Sequence, residues 1–241
     1  MIRTLWYYLN LLVWTVWYAS KAVIGGLLRI PNRPGGLYDE CTRRWSKKSL
    51  WAAGVDLTVV GWEHVPPGPV LFASNHQSWF DIFALAAAIP TQMRFVAKKE
   101  LGKIPLLAQA MRAAGHIYID RQNQQAAFAA YDDAARAVRS GISATVFPEG
   151  TRSRTGELQP FKKGPFVLAI AAQVPLIPIY CAGTFTLKPK GGIRITPHPI
   201  VVSFGQPIFT QGMQYQDRER LMRETRAAIE QLRVDAIQRL G

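Results

Sequence analysis

Two side chains in the stretch SNHQSWFD, residues 74–81, have the types needed for proton transfer: His76, and Asp81 five residues later. An imidazole takes a proton near neutral pH, and a carboxylate bonded to one ring nitrogen fixes the tautomer and leaves the other nitrogen as a base. A plain helix does not pair them, because five helical steps leave the residues about 140° apart around the axis. A turn entering a helix can pair them, since its backbone bends back. The plain alternative is that Asp81 caps the helix start while His76 is merely polar.

The surrounding sequence supplies such a turn. The apolar run PVLFAS leads into NHQSWFD, and the helical run DIFALAAAI follows. Other strand-like runs end in charged residues: RFVAKKEL in Lys98 and Lys99, GHIYIDR in Arg121, and VFPEGTRSRTG in Glu149, Gly150, Thr151, Arg152 and Arg154. FKKG adds Lys162 and Lys163. Guanidinium forks and ammonium point charges are what phosphate oxygens need. Each alone reads as a solvated surface charge, but all fall at one expected strand edge.

The elements that must carry them alternate along the chain. Strand-like runs are DLTVVGW, PVLFAS, MRFVAK, HIYID, SATVFP, VPLIPIY and IVVSF. Helical runs are DIFALAAAI, PLLAQAMRAA, QQAAFAAYDDAARAVRS, GPFVLAIAA and a long charged segment over 214–240. This alternation predicts an α/β domain with a largely parallel or mixed sheet flanked by helices, over residues 55–241. Its ligands would bind at the carboxyl ends of the strands.

Residues 1–54 differ. Residues 4–20 carry no charge and include Trp6, Tyr7, Tyr8, Trp14, Trp17 and Tyr18. As a helix they span about 25 Å, slightly short of a bilayer crossing. Trp and Tyr prefer the headgroup level, which points to a helix lying in the interface or only dipping into it, while snorkelling of Lys21 would make a crossing possible. Arg43, Arg44, Lys47 and Lys48 beside Trp45, Leu50 and Trp51 read as a basic amphipathic helix on an anionic surface. Basic residues on the carboxyl side of the apolar stretch put the following domain on the cytoplasmic face, at the inner membrane if the source is bacterial.

Bulk composition narrows the classes. The chain has 241 residues, 29 Lys and Arg, and 16 Asp and Glu, a net charge of +13 that seeks anionic partners. Cys41 and Cys181 form no CxxC, and His64, His76, His116 and His198 form no HxxxH or HExxH, so no metal site is expected. No GxSxG elbow occurs, and neither cysteine has a neighbouring histidine, so neither pattern of an activated serine or cysteine nucleophile is present. Nucleic-acid binding is allowed by charge, but no RNP, KH or helix-turn-helix pattern accompanies it.

Taken in order, these motifs resemble the lysophosphatidate (1-acyl-sn-glycerol-3-phosphate) acyltransferase family, the NHxxxxD glycerolipid acyltransferases. Asn75, His76 and Asp81 match its first block, GHIYIDR at 115–121 its second, FPEGTRS at 147–153 its third, and VPLIPI at 174–179 its fourth; AKKELGKIP and PFKKG are also similar. The resemblance implies transfer of a fatty acyl group from acyl-CoA or acyl-carrier protein to the sn-2 hydroxyl of lysophosphatidic acid, giving phosphatidic acid in phospholipid biosynthesis. In that setting His76 is the base and Asp81 its stabiliser. Arg152 meets the acceptor's phosphate, Glu149 shapes the loop or holds the glycerol, and Gly150, Thr151 and Lys162 join the binding set. Lys99 and Arg121 are further candidates for phosphate or coenzyme A. No cofactor is implied beyond the acyl donor, and no metal. Other acceptors stay open: a lysophospholipid, a lyso-ornithine lipid or glycerol 3-phosphate. So does a non-catalytic basic membrane-binding protein, although the intact His76 and Asp81 argue against it. His116 reads as a satisfied, partly buried residue.

Overall fold

The computed structural model describes residues 1–120 and 124–240, the side chains of 124–129 excepted. Two helices come first, α1 (Ile2–Leu27) and α2 (Leu37–Ala53). Trp6 meets Trp51, Trp45 donates a hydrogen bond to Thr15, and a side chain at Gly25 would collide with Leu37, so the pair runs antiparallel. Gly54 ends α2 with φ +70°, a left-handed conformation that glycine adopts without strain.

Strands and helices then alternate: β1 (Leu57–Val60), β2 (Leu71–Ser74), α3 (Phe80–Ala88), β3 (Met93–Lys98), α4 (Leu107–Ala113), β4 (Ile117–Ile119), α5 (Gln124–Arg139), β5 (Ser143–Val146), α6 (Gly164–Ala172), β6 (Leu176–Ala182), α7 (Thr184–Leu187), β7 (Ile200–Phe204) and α8 (Arg218–Gln238). All seven strand-like runs of the sequence are strands. They form one sheet in the order β1-β7-β6-β2-β5-β3-β4. Every neighbouring pair is parallel except β6 with β7.

Side chains alternate across this sheet, as the two-residue period of a strand requires. On β2, Phe72 packs with Phe80, Phe83, Ile177 and Ile179 on one face. Leu71 and Ala73 pack with Val138, Phe166 and Leu168 on the other. Both faces are therefore covered, which is why β2 and β5 read as unbroken apolar runs. Helix α8 covers the β6–β7 side through Ile229 and Ala236.

The α1–α2 hairpin is fastened to this body. Arg94 on β3 and Asp39 on α2, both buried, pair at 2.7 Å, and Arg94 also donates to Asn32 Oδ1 at 2.6 Å. Asn32 in turn donates to the Ala114 carbonyl at 3.0 Å. Removing one partner of such a buried pair costs roughly 3–5 kcal/mol. Tyr7 and Tyr18 turn inward and are buried, Tyr7 against Phe80. With Ala19, Ala22 and Gly25 they pack one side of α1 into the domain, so these two aromatics are not available to an interface. Leu5, Trp6, Leu9, Leu12, Val13, Val16 and Trp17 stay exposed on its other side. No helix among the described residues is long and apolar enough to cross a membrane.

Candidate active site

Because β2 lies between β5 and β6 and runs parallel to both, the chain leaves these strands at one edge, side by side. Asn75 continues the pairing past the end of β2. Its side-chain amide donates to the Cys181 carbonyl at 3.1 Å and accepts the Cys181 N–H at 2.7 Å. The next residue, His76, is thereby tied to the middle of the sheet.

Asp81 lies in the first turn of α3, fully buried. Its Oδ2 accepts the backbone N–H groups of Gln77 at 2.7 Å and Ser78 at 2.8 Å, and lies 2.8 Å from His76 Nδ1. The turn thus folds back on the helix start, which a continuous helix would not do. Asp81 does not cap α3: Trp79 holds the cap position without a side-chain bond. With two N–H groups already on that oxygen, the ring presents its Nδ1 proton as the third donor, leaving Nε2 with a lone pair. The ring also stacks on Phe147, centroids 4.0 Å apart.

The loop after β5 holds His76 by its backbone. Glu149 Oε1 accepts the His76 N–H at 2.7 Å, and Ser153 N–H donates to the His76 carbonyl at 2.7 Å. Glu149 Oε2 accepts the Gln159 N–H at 2.9 Å. Both oxygens of Glu149 are therefore taken by backbone donors. It shapes the loop, and each oxygen keeps capacity for a further donor. Burial raises its pKa to about 7, with the Asp81 charge pushing the same way, against the lowering effect of the two N–H bonds and Arg226. Gly150 turns this loop at φ +71° with its N–H on the Phe147 carbonyl, a conformation that suits glycine. Arg152 is half-buried, its guanidinium 5.5 Å from the centre of the Trp79 ring.

His76, Glu149, Gly150, Thr151, Arg152 and Lys162 all line one cavity of about 1300 Å³. Toward α1, α2, α3 and α4 the lining is apolar, from Tyr18, Ala22, Cys41, Trp45, Phe83 and Met111 among others. Cations border it at Lys98, Lys162, Lys163, Lys190 and Arg218. Lys99 is not among them. Its ammonium pairs with Asp120 at 2.9 Å on the exposed surface, and Lys98, one residue earlier, borders the cavity instead. Arg121 lies outside the described residues. His116 accepts the Phe95 N–H at 3.0 Å, and burial together with the Arg94 charge lowers its pKa to about 3, so it is a neutral structural acceptor. Among the described residues no group of three or more His, Cys, Asp or Glu could share a metal ion. Lys188, Lys190 and Trp79 have no role in the sequence reading, and Ser153 enters it only as the last residue of FPEGTRS. Only the run LKPKGG, cationic and rich in turn residues, hinted at the first two.

The Acyltransferase family model matches residues 56–182. The chain is 38% identical over 179 residues to the 1-acyl-sn-glycerol-3-phosphate acyltransferase of Cocos nucifera, covering 74% of this chain and 57% of that one. It is 37% identical over 164 residues to the enzyme of the same name from Saccharomyces cerevisiae, covering 66% and 54%. It is 34% identical over 162 residues to the alpha form of Homo sapiens, covering 66% and 57%. The chain thus spans a little over half the length of these curated relatives. Its fold superposes on the crystal structure of the 1-acyl-sn-glycerophosphate (LPA) acyltransferase PlsC from Thermotoga maritima with a TM-score of 0.81, at 25% identity, covering 96% of this chain and 94% of that one.

Proposed function

This chain belongs to the Acyltransferase family, and on that premise we propose that it transfers a fatty acyl group from a thioester to the sn-2 hydroxyl of lysophosphatidic acid, giving phosphatidic acid. One observation carries the reading: a histidine, oriented by a buried carboxylate, stands in the wall of a cavity that is apolar on one side and cationic on the other. That is the shape of an amphiphile with a fatty tail and a phosphate.

The steps follow from the geometry. His76 Nε2 takes the hydroxyl proton as the oxygen attacks the thioester carbonyl. Asp81 bears against Nδ1 and stabilises the imidazolium that forms. The tetrahedral intermediate collapses, the carbon–sulfur bond breaks, and the departing sulfur receives the proton from His76. A general base of this kind is worth ~10²–10⁴ in rate. The thiolate leaves readily, so the side chains of this site suffice with no added cofactor. Arg152 faces the phosphate, with Thr151, Gly150 and Lys162 beside it. The apolar region toward α1 and α2 takes the acyl chain.

The same reading puts the protein on a membrane surface, with its catalytic loops on the cytoplasmic side. Trp51 of α2 extends the exposed apolar stripe of α1, and Lys21 and Lys48 stand over Trp17 and Trp14 at 4.8 and 5.0 Å. Burying such side chains in lipid contributes roughly 1.5–3 kcal/mol each, and the lysines add attraction to anionic headgroups.

The deciding experiment offers the purified protein labelled acyl-CoA and labelled acyl-carrier protein with a panel of lyso-acceptors. Label is expected in phosphatidic acid. Label only in a lysophospholipid or lyso-ornithine product would move the acceptor assignment, and no transfer to any acceptor would remove the enzymatic reading.

A further inference from the structure

The segment between α7 and β7 crosses in front of the site as a tethered strap. At one end the Lys188 carbonyl accepts the Ser78 hydroxyl at 2.6 Å, on the turn that carries His76. At the other, the Ile193 carbonyl accepts the Tyr8 hydroxyl at 3.0 Å, and Ile195 N–H donates to Thr4 at 3.2 Å, both on α1. Between these ties, Lys190 Nζ donates to Thr151 Oγ1 at 3.0 Å and to the Arg152 carbonyl at 3.1 Å, and lines the same cavity as His76.

The strap therefore adds Lys190 to a cavity that already holds Arg152, with Lys188 close enough to feel the Arg152 charge. Burial and the Arg152 charge both depress the Lys188 pKa, and Arg152 itself is depressed by burial. Among the described residues no carboxylate stands within ion-pair distance of Arg152, Lys188 or Lys190. The acid that acts on Arg152 is Asp81, which is committed to His76 and two backbone amides. Like charges gathered in a partly buried place repel one another and lose hydration. A site built this way is complete only with an anion, and the higher the anion's charge the more it gains. Position agrees: Ser153, next to Arg152, holds the backbone of His76, and in a glycerol 3-phosphate ester the phosphate lies only a few bonds from the reacting hydroxyl.

We propose that Lys190, with Lys188 behind it, belongs to the acceptor's phosphate site and makes the enzyme select a phosphomonoester dianion over a phosphodiester. The inference rests on the acceptor class given above. It is tested with the full chain by steady-state kinetics of K190A, K190R and K188A/K190A. The acceptors are a 1-acylglycerol 3-phosphate monoester and the matching glycerophosphocholine diester.

In K190A the monoester KM is expected to rise about tenfold, the worth of one charge-assisted hydrogen bond. The kcat and the donor KM should stay within about threefold. The preference for monoester over diester should fall by a similar factor, further in the double variant, and K190R should recover part of it. Inorganic phosphate gives an independent reading: it should raise the melting temperature of the wild-type protein and not that of K188A/K190A. An unchanged monoester KM and acceptor preference in both lysine variants would overturn the proposal. So would a rise confined to the donor KM, which would assign these cations to the thioester's own phosphates. A wild-type protein stabilised by phosphate but transferring acyl groups to neither acceptor would instead sink the acyltransferase reading and leave the anion site standing.

Discussion

The turn carrying His76 and the strap carrying Lys190 face the same cavity and are built on opposite plans. Around His76, the backbone N–H and carbonyl are both bonded, Asp81 Oδ2 takes three donors, and Glu149 gives an oxygen to each of two amides. Beside it, Arg152 and Lys190 line the cavity with Lys188 near them, and among the described residues none of the three has an ion-paired carboxylate. In the proposed reading the part that moves a proton is held mostly by the protein's own hydrogen bonds, Asp81 Oδ1 alone of that set being buried with no partner among the described residues, and the part that grips charge is completed by the substrate. Pre-ordering the first lowers the barrier, because no reorganisation remains at the moment of reaction. Leaving the second unfilled keeps a strong field for an incoming phosphate.

Substitutions separate the two plans by which kinetic constant moves. His76→Ala is expected to cut kcat by ~10²–10⁴ while the melting temperature and acceptor KM hold. Asp81→Asn should lower kcat by about a hundredfold, because an amide neither stabilises the imidazolium nor fixes the tautomer as a carboxylate does. A variant of either residue altered only in acceptor KM would erase the contrast with the strap lysines.

Glu149 gives a smaller, pH-dependent effect. The folded protein holds its proton up to about pH 7, whereas an unperturbed carboxyl releases it near 4.5. Between those values the folded state binds more protons than the unfolded one, so raising the pH through this window removes stability. The contribution is full below about 4.5 and lost above about 7. Melting temperatures of the wild-type and Glu149→Gln proteins, compared between pH 4.5 and 8, should show this downward slope in the wild type alone. Parallel curves would mean that Glu149 is not the titrating group.

The smallest effect on chemistry is expected from the far side of α1. Leu9→Glu with Val13→Glu should abolish flotation with anionic vesicles and slow transfer to bilayer-embedded acceptor severalfold. Transfer to a short-chain acceptor in solution should be unaltered. Undiminished flotation would count against the stripe as the membrane contact. Point changes suit this test better than deletion of the helix, since Tyr18 and Ala22 on its inner side line the cavity.

The sheet was legible because its strands are dense apolar runs set between Gly, Pro and charged residues, as in MRFVAK and IVVSF. The pairing of His76 with Asp81 was legible as a possibility of the turn, but the two amides that fix it come from backbone and leave no letter in the sequence. Lys98 and Lys99 diverge where β3 ends, Lys98 bordering the cavity while paired with Glu100 and Lys99 pairing with Asp120, and no letter of the sequence tells which way each points. Aromatic residues fill both sides of α1, so their count could not reveal that Tyr7 and Tyr18 point inward. Lys188 and Lys190 lie in a segment without periodicity, and it takes the tethers to Ser78, Thr151 and Tyr8 to bring them to the site.

Asn75 has a consequence on the timescale of amide exchange. The Cys181 N–H, in the middle of the sheet, is held by the side chain of the residue next to His76 and not by another strand's carbonyl. Its deuterium uptake therefore follows local opening of the catalytic turn, whereas the Ile177 and Ile179 amides beside it follow unfolding of the sheet. A single backbone signal, one hydrogen bond from the residue next to His76, thus reports how often the turn comes apart.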